Sequence, residues 1–187
     1  MESVLDRVIK QNTENVNLLK TKDYNIFSVL QIQSKEVLIC RMIADLLNPR
    51  GQHGAGAEYL KIFLKDCLGM EKMDTKLADQ AIVTAEYAID DERRIDIVIE
   101  IGSYFLPIEV KIYAADQKSQ CFDYYQYAKR RDAQAKVYYL TLDGHRPGKD
   151  STSSGSQSVP EEDIVCLSFR EHILNLSLIH ISEPTRR

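Results

Sequence analysis

The side chains best placed to do chemistry together are Asp96, Glu109 and Lys111, two acids and a base within Arg94 to Ala114, RIDIVIEIGSYFLPIEVKIYA. Ile95, Ile97, Ile99 and Ile101 alternate with Asp96, Val98 and Glu100. Leu106, Ile108, Val110 and Ile112 alternate with Phe105, Pro107, Glu109, Lys111 and Tyr113. A period of two in apolar residues predicts two strands. Gly102-Ser103 suits a two-residue type II′ turn, because glycine takes the positive φ of the first central position. That turn puts Asp96 directly across from Glu109, where Cβ atoms lie about 4.5–5.5 Å apart and like charges repel. Lys111 projects from the same face, two residues beyond Glu109.

Two carboxylates held so close want a cation. The arrangement suits a hard divalent ion, since Mg²⁺ is usually held by one or two carboxylates, with waters and substrate phosphate completing the shell. A neighbouring lysine can orient an attacking water or offset charge on a phosphate. The plainer alternative is a solvated strand face, on which Glu-x-Lys is common. The apolar opposite face, the turn-set register and the helix that follows favour the site. The expectation is an Asp, Glu and Lys group at the open side of a hairpin whose other face is core.

Around the hairpin, Ala81 to Ile89 reads as a strand carrying Glu86 among apolar neighbours, where a charge needs a partner or a function and would lie near the metal or a basic residue of the site. After Lys111 a helix is expected from Asp116 as N-cap. On it Gln117, Gln120, Tyr124 and Tyr127 fall on one face. Gln120 and Tyr124 could orient a metal-bound water or contact phosphate and base, with Gln117 a weaker candidate and Tyr127 read as packing. Lys129-Arg130-Arg131 is either a C-terminal cap or part of a surface for a nucleic-acid backbone. Ala135 to Leu142 is a further strand, Asp143 to Pro160 a mobile loop or lid poor in apolar residues, Ile164 to Ser168 a last strand, and Phe169 to about Leu176 a helix.

Upstream, residues 1 to about 22 suggest an amphipathic helix, NIFSVL at 25–30 a short apolar anchor, and Ser34 the N-cap of a helix that Asn48-Pro49 ends. Gly51 to Gly56 is a loop holding His53, a weak candidate for a phosphate contact. No Gly-Lys-Ser/Thr follows it, so it is not a nucleotide-binding loop. Ala57 to Leu68 is an amphipathic helix ending near Gly69.

Asp96, a gap, then Glu109-Val110-Lys111 resembles the signature of the PD-(D/E)XK nuclease superfamily. IYAADQKSQCFDYY resembles one bacterial branch, in which the lysine strand runs into a helix carrying Asp-Gln and Gln-x-x-x-Tyr. NIFSVL, the helix from Glu36 and LLNPRGQHGAG resemble that branch's amino-terminal region. Two departures stand out: Ile95 precedes Asp96 where the name has Pro, and Ile39-Cys40 stands where the branch usually has His-Ser. The resemblance implies an α/β, restriction-endonuclease-like αβββαβ core with a mixed sheet flanked by helices. It further implies Mg²⁺ or Mn²⁺ held by Asp96, Glu109, the Val110 carbonyl and Glu86, with Lys111, Gln120 and Tyr124 as catalytic residues. Glu36 would be either the acid that many members bring from the first helix or an ordinary helix N-terminal glutamate.

With 187 residues and 21.4 kDa, the chain suits one domain. Residues 1–176 are expected to form it, with helices in 1–70 and the core in 80–176. The tail 177–187, SLIHISEPTRR, lacks periodicity and reads as a truncated frame or a fusion scar. No apolar run reaches the ~20 residues of a membrane span, and the amino-terminal stretch is too acidic for a signal peptide, which points to the cytoplasm. Cys40, Cys67, Cys121 and Cys166 are scattered without Cys-x-x-Cys, so small buried hydrophobes are expected rather than zinc or disulfides. A net charge of −4 argues against nonspecific coating of nucleic acid, though a metal and a local basic patch can supply a positive field. The expected activity is metal-dependent hydrolysis of phosphodiesters, of DNA first; a homodimer is left open. The competing reading is a silent nuclease-like module that binds nucleic acid or protein. A serine or cysteine hydrolase is disfavoured, because no nucleophile sits in a recognisable motif.

Overall fold

A computed structural model of the chain describes residues 36–71, 73–174 and 176. The expected elements at 1–22 and 25–30, the Ser34 cap and the 177–187 tail lie outside these. The elements run α1 (Glu36–Leu47), α2 (Glu58–Ile62, continued by a π-helical turn Phe63–Cys67), α3 (Thr75–Ala78), β1 (Ile82–Ala88), β2 (Arg94–Ile101), β3 (Tyr104–Lys111), α4 (Gln120–Arg131) and β4 (Val137–Thr141). Then come α5 (Lys149–Thr152), a ribbon of β5 (Ser153–Ser154) and β6 (Gln157–Ser158), β7 (Ile164–Ser168) and a π-helical turn, α6 (Phe169–Ile173). The fold is α/β, with one mixed sheet of order β1-β2-β3-β4-β7 flanked by helices. The first three strands are antiparallel and the last three parallel.

The hairpin register is the expected one. Ile101 pairs with Tyr104 and Ile97 with Ile108, and Gly102 sits at φ 58°. Alternation then divides the two strands between two faces. Ile97, Ile99, Ile101, Leu106, Ile108 and Val110 pack against α1 and α2 through Ile43, Leu47, Leu60 and Leu64. On the other side, Val98 and Phe105 meet Tyr124 and Ala128 of α4. Covered on both sides, β3 is buried from Phe105 to Lys111, as expected where parallel strands carry helices on both faces.

Three expectations are corrected. The charged face of the hairpin is not open, because α4 lies across it and leaves Glu109 0% and Lys111 7% exposed. Asp116 does not cap α4. Its carboxylate is taken by the Tyr139 hydroxyl at 2.7 Å and the Gly148 N–H at 2.6 Å, so the helix starts after Ser119, which turns the chain at φ 58°. The 143–160 segment is not a loose lid either. Ser151 is fully buried with its hydroxyl accepting from the Cys121 N–H, the Ser119 hydroxyl donates to the Ser153 carbonyl, and Val159 is buried. Polar composition hid this order because the anchors are hydrogen bonds to the start of α4 rather than apolar contacts.

Candidate active site

The site lies at the end of the sheet where β2 begins and β3, β4 and β7 finish. Asp96 is half-buried, and its Oδ2 accepts the Val110 N–H at 2.8 Å. Lys111 Nζ is 2.7 Å from Glu109 Oε1. The angles of that ion pair fall outside hydrogen-bond geometry, so neither Glu109 oxygen has a hydrogen-bond partner although both are buried. Burial, reinforced by the Asp96 charge and opposed by Lys111, lifts the Glu109 carboxyl well above the usual range. Burial also raises Asp96, against the Val110 N–H and Lys111. For Lys111, burial favours the neutral amine, but Glu109 and then Asp96 outweigh it and hold the ammonium above its ordinary value.

Over this group lies the first turn of α4. Gln120 is buried; its Nε2 donates to the Tyr124 hydroxyl at 3.0 Å, and its Oε1 has no partner. The Tyr124 hydroxyl donates in turn to the Arg94 carbonyl, two residues before Asp96. Burial, followed by the Glu109 charge, pushes this phenol far up, so it serves as a donor and not as a base. Glu109, Lys111, Asp96, Gln120 and Tyr124 are thus brought together, with unpartnered oxygens on Glu109 and Gln120.

A family model described as the PD-(D/E)XK nuclease superfamily matches residues 24–184. The chain belongs to the PD-(D/E)XK nuclease superfamily. Neither the curated proteins nor the solved structures yielded a match. Membership gives a nuclease-like function and, as is general in the superfamily, use of a divalent metal ion. The residues present fit one: a fully buried carboxylate with unpartnered oxygens faces a second carboxylate, both oxygen donors of the kind hard cations take. Among the described residues no group of three or more His, Cys, Asp or Glu is arranged to hold a metal. Two carboxylates are what a mostly water- and phosphate-ligated Mg²⁺ needs.

The remaining candidate residues are held by other partners. Glu86 stands between the rungs Ala85–Ile97 and Tyr87–Ile95, level with Asp96, at φ 55°. Left-handed backbone costs a non-glycine residue roughly 1–2 kcal/mol, and such strain gathers at functional sites. Its carboxylate is paired with Arg41 of α1 at 2.7 Å. Glu36 Oε1 accepts from the N–H groups of Ile112, Tyr113 and Ala114. Gln117 precedes α4 and accepts from Arg93 at 3.2 Å, so it does not share the helix face of Gln120. Tyr127 packs against Tyr87 and Phe105.

His53 is not at the site. Its Nδ1 accepts from the Ala55 N–H, which makes Nε2 the donor to the Asn48 carbonyl; at 1.5 Å per residue α1 carries this loop roughly 17 Å from Glu36. The basic run closing α4 is a similar distance from Gln120 and largely engaged: Lys129 pairs with Asp163, and Arg131 with Glu100. Cys40 and Cys121 are buried and Cys67 and Cys166 partly so, all four with free thiols.

Sequence reasoning missed Arg41, Arg93 and the role of Asp116. Arg41 was findable as the one basic residue of α1 once Glu86 demanded a partner. Arg93 ties the β1–β2 turn to the approach to α4 through Gln117, the Lys118 carbonyl and Asp123. Only register, which brings Tyr139 beside Glu109, could have revealed Asp116's partner.

Proposed function

We propose that this protein is a Mg²⁺- or Mn²⁺-dependent nuclease that hydrolyses phosphodiester bonds of DNA. The observation that carries the reading is the buried Glu109, its oxygens unpartnered, across the hairpin from Asp96 and beside Lys111. Asp96, Glu109 and the Val110 carbonyl would hold the metal, which when bound polarises the phosphoryl group and acidifies water. Asp96 keeps Oδ2 on the Val110 N–H, which fixes the carboxylate against β3 and would leave its other oxygen for the metal. Lys111, an ammonium with three donors, orients the attacking water and offsets charge growing on the phosphate. Gln120 accepts a hydrogen bond from that water through its free Oε1. Tyr124 assists by holding Gln120 and the Arg94 carbonyl, which sets the rotamer of the first and the entry of β2. The half-buried setting, with α4 as a roof, strengthens each of these electrostatic contacts relative to water.

The test is cleavage of single-stranded, nicked and supercoiled DNA with Mg²⁺ or Mn²⁺, comparing the intact chain with Asp96→Ala and Lys111→Ala. Metal-dependent cutting that disappears in both variants supports the reading. No cutting by the intact chain, or equal cutting by all three proteins, overturns it and favours a binding module on the same scaffold.

A further inference from the structure

Glu36 opens α1, and its hydrogen-bond partners are main-chain amides rather than other acids of the site. One oxygen, Oε1, accepts from Ile112, Tyr113 and Ala114 at 2.7, 2.7 and 2.8 Å. The three donors are consecutive and begin at the residue after Lys111. Successive N–H groups aimed at one point form an anion nest, and charge-assisted bonds of this kind are roughly twice as strong as neutral ones. The last rung of β3 is Lys111 against Thr141. Beyond it the chain leaves the sheet through half-buried Ile112 and exposed Tyr113, and Glu36 gathers the amides of that exit onto one atom. Whatever fixes residues 112–114 fixes the carboxyl side of Lys111, whose ammonium must arrive within 2.7 Å of Glu109.

We propose that Glu36 is a positioning residue: a strut from α1 that sets the turn after β3, and through it the path by which Lys111 enters the site, without binding the metal. Oε1 is committed to the three amides, so only Oε2 is left to meet a cation, and the Mn²⁺ affinity of the variants decides whether it does. The inference rests on the nuclease reading of Asp96, Glu109 and Lys111.

Three variants decide it. Glu36→Gln keeps an oxygen acceptor for the three amides and drops the charge. Glu36→Ala removes the acceptor. Glu36→Asp keeps the charge but is one methylene short, so it tests the same loss in a chain that retains an acid. Each is measured for kcat and KM on a single-stranded oligonucleotide with Mn²⁺, for Mn²⁺ affinity by calorimetry, and for amide exchange at 112–114. A misplacement on the ångström scale costs about a hundredfold in rate. The Ala and Asp variants should therefore lose about that much kcat, with KM and Mn²⁺ affinity unchanged and faster exchange at the three amides. Gln should restore all three.

Mn²⁺ affinity that falls alike in Gln and Ala would make Glu36 a metal ligand and overturn the proposal. Unchanged or raised kcat in Ala would overturn it too, the latter pointing to a nest meant for a substrate phosphate. If the intact chain cuts nothing, the nuclease reading fails by itself. The strut is then judged on exchange and Mn²⁺ affinity: it stands if exchange rises in Ala and Asp but not in Gln at constant affinity, and falls otherwise.

Discussion

The two faces of the β2–β3 hairpin share a backbone and are both buried, yet they do opposite things for the fold. On one, Ile97, Ile99, Ile101, Leu106, Ile108 and Val110 close against α1 and α2 with no polar atom to satisfy. Each such side chain contributes roughly 1.5–3 kcal/mol by leaving water. On the other, Asp96, Glu109 and Lys111 lie beneath α4, and neither buried Glu109 oxygen has a hydrogen-bond partner beyond its ion pair with Lys111. Taking ions out of water costs several kcal/mol apiece, which their mutual attraction repays only with good geometry. One face makes the domain stable enough to carry the other. The second, on the proposed reading, serves a ligand rather than stability.

That contrast can be broken in stages. Lys111→Ala should lower metal-dependent cleavage by a factor of about 10²–10⁴, the range of a positioned proton-transfer or charge-stabilising group, as read by initial rates on plasmid DNA. Ile99→Ala, one strand position from the charged face, should cost about 2–5 kcal/mol in urea unfolding while leaving cleavage at low temperature intact. Glu109→Gln should do the reverse: activity gone, with a smaller loss of stability than Ile99→Ala, because the amide oxygen still offers the buried Lys111 ammonium an acceptor. If Glu109→Gln unfolds the protein as readily as Ile99→Ala, the charged face is structural and the comparison fails.

A smaller effect is expected from Asp116→Ala. Losing the bonds to Tyr139 and Gly148 should cost about 1–3 kcal/mol and increase amide exchange across 143–160, with the hairpin unaffected. The smallest concerns pH. Burial pushes the Asp163 carboxyl up, but the Tyr125 hydroxyl and Lys129 outweigh that and hold it below its ordinary 3.8. A depressed folded-state value contributes stability above the unfolded value, lost as pH falls through the folded one. Asp163→Asn should therefore lower the melting temperature slightly at neutral pH, with the difference from the intact chain fading as pH falls below about 4.

These elements differ in how much the sequence disclosed. The hairpin register was legible because a two-residue turn with glycine first leaves one pairing, and Asp96 facing Glu109 follows from it. β7 was legible at Ile164–Ser168 because a short apolar run is bounded by polar turns. The start of α4 was not, since Asp116 carries an N-cap's chemistry but finds partners 23 and 32 residues away. Nor was the burial of the charged face, which depends on where α4 lands. Glu86's left-handed backbone and Glu36's grip on 112–114 are likewise tertiary facts, invisible to periodicity.

The central claim is that the charged face exists to hold a cation, and Mn²⁺ calorimetry on the intact chain, Asp96→Asn and Glu109→Gln tests it most directly. Saturable binding by the intact chain is expected, with a melting-temperature rise equivalent to about 2.7 kcal/mol at a hundredfold excess over Kd, both absent from the two variants. Equal Mn²⁺ binding by all three proteins, or none by the intact chain, would contradict it.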